Sequence, residues 1–134
     1  MTLFASILDG LGLSQSEAAD FLGVRLDTVK NWSSGRRPTP DGVWPDLHKL
    51  ARQQIKAAEA AVKMAAKILP ETEIEFSPAN DDAEAQALGW PCVGAQMAAF
   101  RRAWEMLGPD VNLKIVPRGS TASSRAAIKA RQSR

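Results

Sequence analysis

The chain has 134 residues, of which 45% are hydrophobic and 24% charged, and its formal net charge is +2 at pH 7. A chain of this length folds as one compact domain, with or without a small appendage, and needs no disulfide or metal to do so. Because it holds one cysteine, one histidine and no tyrosine, we expect a binding protein without cofactor or metal, and not an enzyme.

Cysteine usage and hydropathy indicate where such a chain works. The single cysteine, Cys92, excludes an internal disulfide and favours a reducing compartment. No run of about 18 apolar residues occurs, and the first residues lack the basic segment of a signal peptide. We therefore expect a cytoplasmic protein that does not interact with membranes.

Charge is distributed unevenly along the chain. Residues 71–117 carry eight acids and three bases, whereas residues 118–134 carry five bases and no acid. Such blocks favour surfaces with different partners. The last block is also rich in Ser and Ala, which predicts a flexible basic tail. This tail either adds affinity for nucleic acid or only makes the chain more soluble.

Two short helices are predicted first. One runs from Thr2 to about Gly10. The next begins at Ser14, because Ser14-Gln15-Ser16-Glu17 fits a capping box, and it ends at Gly23, a residue typical of helix C-termini. The apolar face of the first helix comprises Leu3, Phe4, Ile7 and Leu8.

A third helix is predicted from about Leu26 to Ser34, followed by a basic, proline-stiffened loop. Val29 and Trp32 are three residues apart and should face inward, although Trp32 has an alternative role in stacking on bases. Two short helices joined by a glycine turn form a helix-turn-helix. The side chains predicted to face outward are Asp27, Lys30, Asn31, Ser33 and Ser34.

A long helix is predicted from Asp41 to Leu69. One continuous apolar stripe follows its length, and a separate basic stripe is either a solvated face or a track for phosphates. The apolar stripe comprises Leu47, Ala51, Ile55, Ala58, Val62, Ala65 and Leu69, and the basic stripe Lys49, Arg52, Lys56, Lys63 and Lys67.

The remaining pattern predicts a small α+β region. Alternating polar and apolar residues predict strands at 72–77 and 111–116, with a short helix from about Asn80 to Leu88 between them. A second helix follows the break at Gly89-Trp90-Pro91. Its predicted core stripe is Val93, Met97, Phe100, Trp104 and Leu107.

The stretch from Ser14 to Pro38, SQSEAADFLGVRLDTVKNWSSGRRP, resembles the helix-turn-helix of the lambda-repressor-like (Xre/Cro) regulators. The resemblance implies binding of double-stranded DNA, with the second helix of the motif in the major groove. A helix pair used only for protein contacts is the alternative. The matching positions are Ser14, Gln15, Glu17, Ala18, Ala19, Leu22, Gly23, Val24, Thr28, Val29, Trp32, Gly35, Arg37 and Pro38.

The resemblance also assigns roles to individual residues. It implies that Gln15 bonds a phosphate and that Arg36 and Arg37 meet the next phosphates. In a helix-turn-helix the start of the recognition helix supplies side chains to base edges. The predicted DNA-binding residues are Gln15, Arg25, Asp27, Thr28, Lys30, Asn31, Ser33, Arg36 and Arg37.

Two of these residues have two interpretations each. Arg25 stands where the family usually has a Ser, Thr or Asp cap, so it is either a weak cap or a reader of guanine. Asp27 either accepts a hydrogen bond from cytosine N4 or favours the helix N-terminus as an acid in its first turn.

The order of elements beyond the motif is similar to that of anti-CRISPR-associated (Aca) regulators with a C-terminal dimerisation domain, and of the related YdiL-like proteins. The matching pieces are Pro40-Asp41, Glu71 to Phe76, and Gly89-Trp90 before Val93–Leu107, whereas the tail from Arg118 has no counterpart. This layout implies a repressor that binds an inverted repeat and regulates its own phage or mobile-element operon.

We therefore expect a mainly α fold with a small β component. Residues 1–69 would hold the helix-turn-helix bundle and the long helix, residues 70–117 an α+β dimerisation region, and residues 118–134 the basic tail. The expected function is that of a homodimeric repressor; the alternative is a protein-interaction module such as an antiactivator or antitoxin. The homodimer would form through the alanine-rich stripe of the long helix or through the open strand edges, with a shared apolar core of Phe76, Trp90, Val93, Met97, Phe100 and Trp104.

Overall fold

A computed structural model of the protein describes residues 1–68 and 73–117. It is mainly helical with a small two-stranded sheet, which confirms the predicted fold class. Within these residues no helix is both long and apolar enough to cross a lipid bilayer. Predictions about Leu69 and the basic tail lie outside the described residues. The elements are α1 (Leu3–Leu11), α2 (Gln15–Leu22), α3 (Leu26–Ser34), α4 (Val43–Ile68), β1 (Glu73–Phe76), α5 (Asp82–Ala87), α6 (Val93–Met106) and β2 (Asn112–Ile115).

Helices α2 and α3 form the predicted helix pair with its predicted ends. The Ser14 hydroxyl accepts a hydrogen bond from the Glu17 N–H (3.1 Å), and the Glu17 carboxylate accepts one from the Ser14 N–H (2.9 Å), so the capping box is complete. Gly23 ends α2 in the left-handed conformation with φ of 68°, and Gly35 ends α3 with φ of 80°. These local signals mark both ends of α2 and the end of α3.

The N-terminal core forms around aromatic residues from three helices. The ring of Phe4 meets Trp32 edge-on at 5.7 Å and Trp44 at 6.3 Å between centroids. Trp32 is only 8% exposed, so it is a core residue and offers no face for stacking on a base. The prediction that Leu3 shares this core is wrong, because its side chain is 69% exposed. Thr2, and not Leu3, anchors the start of α1, since the Thr2 hydroxyl donates to the Ser33 carbonyl at 2.8 Å.

Helix α4 spans 26 residues, and α6 packs along it. The buried face of α4 differs from the predicted apolar stripe, because Ile55 of that stripe is 39% exposed whereas the neighbouring Gln54 is buried. The predicted stripe contains only apolar residues, but the buried face includes this glutamine. The buried residues of α4 are Val43, Leu47, Leu50, Gln54, Ala58 and Ala65.

Helix α6 turns its small residues inward, contrary to prediction. Trp104, expected in the core, is 61% exposed, and Met97 and Phe100 are half-buried. At the start of α6 the backbones approach closely, since a Cβ on Gly12 would collide with the carbonyl oxygen of Gly94. Farther along, α6 packs on α4 and buries mostly alanines. The buried residues of α6 are Ala95, Gln96, Ala98, Ala99 and Ala103.

Gln54 joins α1, α4 and α6 through a buried hydrogen-bond network. Its side chain is fully buried, and its Nε2 donates to the carbonyls of Leu11 (2.9 Å) and Ala95 (3.0 Å). Its Oε1 accepts from the Nε of Arg102 at 3.2 Å. The core that contains Leu11 also contains Ala95, so it draws residues from both sides of the boundary predicted after residue 69.

Strands β1 and β2 pair in parallel, with Glu73 opposite Asn112 and Phe76 opposite Ile115. They lie within the predicted strands at 72–77 and 111–116. Phe76 also contacts Phe100 of α6, with ring centroids 4.7 Å apart. Among the described residues each strand has one edge without a partner strand, so the sheet is open on both sides.

Candidate nucleic-acid interface

Helix α3 presents a polar face directly opposite its buried one. Val29 is fully buried, whereas Asp27 and Lys30 are exposed and Asn31 is half-buried. These three side chains recur at the spacing of one helical face. Together with Ser34 and Arg36 they line a shallow, open depression on the surface. A helix held by its apolar side with its polar side free has the geometry required to enter a DNA groove.

The loop after α3 folds back onto the end of that helix. The Asn31 carbonyl accepts hydrogen bonds from the Ser34 hydroxyl (3.2 Å) and from the Arg37 N–H (3.2 Å). The Arg36 N–H donates in turn to the Ser34 hydroxyl at 3.3 Å. These contacts hold the backbone of both arginines beside the polar face, while their side chains stay exposed.

The remaining predicted contacts lie at helix N-termini. Gln15 is the first residue of α2 and is exposed, next to main-chain N–H groups that favour an anion. Arg25 precedes α3, is exposed, and makes no side-chain cap hydrogen bond. Thr28 is half-buried at the side of the polar face. The capping role is therefore absent for Arg25, and its guanidinium remains available to a ligand.

Ser33 does not share the polar face, contrary to prediction. Its hydroxyl oxygen is buried without a hydrogen-bond partner in the structure, and its carbonyl accepts from Thr2. Ser34 takes the position on the face instead. The spacing of Asp27, Lys30, Asn31 and Ser34 (i, i+3, i+4, i+7) carries this information in the sequence, because residues at those offsets share one side of a helix.

Electrostatics on this side of the molecule favour a polyanion. Four exposed basic residues lie on α3 or in the segments directly before and after it, and Asp27 is the one acid that lines the depression on its polar face. In the part of the chain that the structure describes, none of these bases forms an ion pair. Exposed basic side chains that cluster on and beside one helix are typical of surfaces that bind a phosphate backbone. The four bases are Arg25, Lys30, Arg36 and Arg37.

The basic stripe of α4 is fully exposed along the helix. Its five residues lie opposite the face that packs against α6, and the described residues place no acid in ion-pair contact with them. Both interpretations, a solvated face and a phosphate track, therefore stand. The stripe comprises Lys49, Arg52, Lys56, Lys63 and Lys67.

The residues predicted to form a dimer core lie in different environments in the structure. Phe76 and Phe100 pack on each other within one chain. Trp90 packs at the edge of the N-terminal core. Val93 and Met97 are half-buried, and Trp104 is largely exposed beside them on α6. Near its C-terminal end α6 thus exposes two large apolar side chains, Trp104 and Met106 (48% exposed).

The single histidine and the single cysteine take no part in this interface. His48 is exposed on α4, as expected, and Cys92 is buried at the start of α6. Burial raises the pKa of the Cys92 thiol, and the nearby Glu17 and Asp82 carboxylates raise it further. Among the described residues no three His, Cys, Asp or Glu side chains lie close enough together to hold a metal ion.

The chain was compared with known proteins. No protein-family model matches it, and no curated protein matches it.

Proposed function

We propose that the protein is a sequence-specific, dimeric DNA-binding repressor. The observation that carries the proposal is the exposed polar face of α3, where Asp27, Lys30, Asn31 and Arg36 line one open depression. Among the described residues neither Lys30 nor Arg36 forms an ion pair. The major groove is about 12 Å wide and admits one such helix. The resemblance of residues 14–38 to Xre/Cro regulators supports the same conclusion.

On this proposal some of the predicted DNA-binding residues contact base edges and determine sequence preference, and the others contact phosphates. Lys30 and Asn31 meet base edges from the middle of α3, and Arg25 meets them from its start. Gln15, Arg36 and Arg37 meet phosphates on either side, because they lie at the start of α2 and in the loop after α3. One motif reads only a few base pairs, so two copies on an inverted repeat supply the specificity, with half-sites about 10–10.5 base pairs apart or a multiple of that.

A gel shift with DNA from upstream of the gene tests the proposal. The full chain should form a complex that survives an excess of unrelated competitor DNA. Asn31→Ala should relax preference at one base position and cost about 1–3 kcal/mol there, since asparagine pairs with adenine through two hydrogen bonds. Unchanged preference across a randomised operator library would contradict this role.

The phosphate contacts have a different signature. Arg36→Ala and Arg37→Ala should each weaken binding to all sequences alike and reduce the salt dependence by about one ion. Lys114→Ala is the control, because Lys114 is a base on β2 that pairs with Glu73 at 3.6 Å. Lys56→Ala settles the role of the α4 stripe: an altered salt slope makes it a phosphate track, and an unaltered slope makes it a solvated face.

A protein-interaction module is the second candidate, and the exposed apolar side of α6 favours it. Trp104, at 61% exposed, is a residue type enriched at protein interfaces. An antiactivator or antitoxin would capture one partner protein and show no preference among DNA sequences. A sharp operator complex, formed by the full chain alone, separates the repressor from this candidate.

The proposal also concerns the operon that the protein regulates. The layout similar to anti-CRISPR-associated regulators supports a cytoplasmic repressor that regulates its own phage or mobile-element operon. An inverted repeat in the promoter beside the gene, protected from nuclease by the protein, is the expected finding.

A further inference from the structure

A groove of about 300 Å³ opens between α1, α4 and α6, away from the polar face of α3. Ile7 and Leu11 of α1 form one wall, and Trp44 and Leu47 of α4 form another. This volume is at the lower end of the range found for small-molecule sites and fits one ring with a short chain.

Among the described residues, the groove is lined by one cation and by no acid. Its charged or ionisable lining residues are Arg102 of α6 and His48 of α4. Arg102 is half-buried and uses its Nε to bond the Gln54 side chain. The structure gives its two terminal nitrogens no partner among the described residues.

The hydrogen bond to Gln54 makes the guanidinium a fixed feature of this site. Gln54 is itself held by the Leu11 and Ala95 carbonyls, so Arg102 is attached to a buried hydrogen-bond network. A guanidinium that is pre-positioned loses little freedom on binding, and its planar fork matches a carboxylate. An apolar wall with one fixed cation fits an amphipathic anion.

We infer that this groove binds a small organic acid with an aromatic or aliphatic body, whose carboxylate pairs with Arg102 and whose body lies against Trp44. This site would be an effector pocket separate from the DNA-binding face. The inference goes beyond the proposed function, and its test involves no DNA, so either can fail without the other.

The probes are 4-phenylbutyrate and its neutral counterpart 4-phenylbutyramide, titrated calorimetrically into the full chain. The acid should bind about tenfold or more tightly than the amide, because a hydrogen bond to a charged partner is the stronger one. In ¹⁵N-labelled protein the acid should shift the indole N–H signal of Trp44 and leave that of Trp104 in place. Equal affinity for the two probes, or no Trp44 shift at millimolar acid, would overturn the inference.

Three variants locate the site. Arg102→Gln should reduce the affinity for the acid to that for the amide, whereas Arg101→Gln should not, because Arg101 bonds the Gly10 carbonyl (2.7 Å) and does not line the groove. Ala51→Leu should fill the groove and weaken both probes. If Arg102→Gln does not fold, the two probes on the wild-type chain and on Ala51→Leu decide the matter. Loss of a dimer in Ala51→Leu, with no probe bound by the wild type, would assign the groove to a second copy and overturn the inference.

Discussion

Gly12 shows how one residue without a side chain allows two distant segments of the chain to approach closely. It ends α1 with φ of +76°, and its backbone lies against Gly94 of α6. Gly23 has a similar φ of +68° but open space around it. The two glycines therefore separate the effect of backbone conformation from that of steric contact.

Gly12→Ala should destabilise the protein by about 3 kcal/mol or more, and Gly23→Ala by only about 1–2 kcal/mol. In both variants an alanine must adopt a positive φ, which glycine adopts without strain and alanine does not. Only the Cβ at position 12 must also push α6 away from α1, which adds an overpacking term. Urea denaturation followed by circular dichroism measures both values. Equal losses in the two variants would mean that α1 and α6 do not touch at Gly12.

Cys92 should make stability dependent on pH in the alkaline range. Because burial raises the pKa of its thiol in the folded protein, the unfolded chain releases the proton first. The stabilising contribution of the buried, protonated thiol to the free energy of unfolding is therefore complete below the ordinary thiol pKa of 9.0. It is lost as the pH rises through the pKa that the thiol has in the folded protein. Between pH 8 and pH 10 the free energy of unfolding should fall more steeply for the wild type than for Cys92→Ala. Parallel curves would contradict this account.

Among the elements, α2 and α3 are predictable from sequence and α6 is only partly so. The ends of α2 and α3 depend on local signals, namely the capping box at Ser14 and the glycines at 23 and 35. The inward face of α6 depends on its packing against α4 and, at its start, on a close contact with Gly12, more than 80 residues earlier in the chain. A stripe of large apolar residues looks like core when that contact is unknown.

The polar side chains also differ in how well the sequence predicts their positions. The i, i+3, i+4, i+7 spacing places Asp27, Lys30, Asn31 and Ser34 on one face and leaves Ser33 off it. No local pattern predicts that Gln54 is buried, since its partners are carbonyls at the end of α1 and in α6. A buried amide is stable only where distant main-chain groups satisfy it. Single-sequence reasoning has no access to those groups.

The start of α3 is the weakest helix end of the motif, and it can be improved. Arg25→Ser should stabilise the protein by about 0.5–1 kcal/mol, because a serine hydroxyl can accept a hydrogen bond from the first turn, where the Arg25 side chain makes no cap hydrogen bond. Ser14→Ala is the matched opposite and should cost about 1 kcal/mol, since it removes a working cap. Thermal or urea unfolding gives both signs.

The same Arg25→Ser variant decides between the two interpretations of Arg25. If Arg25 reads a guanine, the more stable variant binds the operator about tenfold or more weakly and loses preference at one position. If Arg25 is merely a poor cap, operator binding is unchanged. No gain in stability would mean that the first turn of α3 is satisfied in another way.

At the scale of the whole molecule, α6 belongs to the same core as the helix-turn-helix. Cys92 and Ala95 lie in the same core as Phe4 and Trp32, and Gln54 bonds the Ala95 carbonyl. Removing everything after residue 69 would therefore open that core, and lost DNA binding would say nothing about dimers. A test of the dimer has to leave α6 in place and change only its outer surface.

Trp104→Ser is that test. Trp104 is 61% exposed, so its loss should cost the monomer about 1 kcal/mol or less, but it should remove the centre of the apolar face through which we expect two copies to associate. Light scattering at tens of micromolar should find a dimer for the wild type and a monomer for Trp104→Ser, with an unchanged circular dichroism spectrum. Met64→Ser is the matched control, because Met64 is 67% exposed on α4 and its loss should leave the dimer intact. A monomeric wild-type chain would end the dimer proposal, and dissociation in Met64→Ser alone would move the interface from α6 to the long helix.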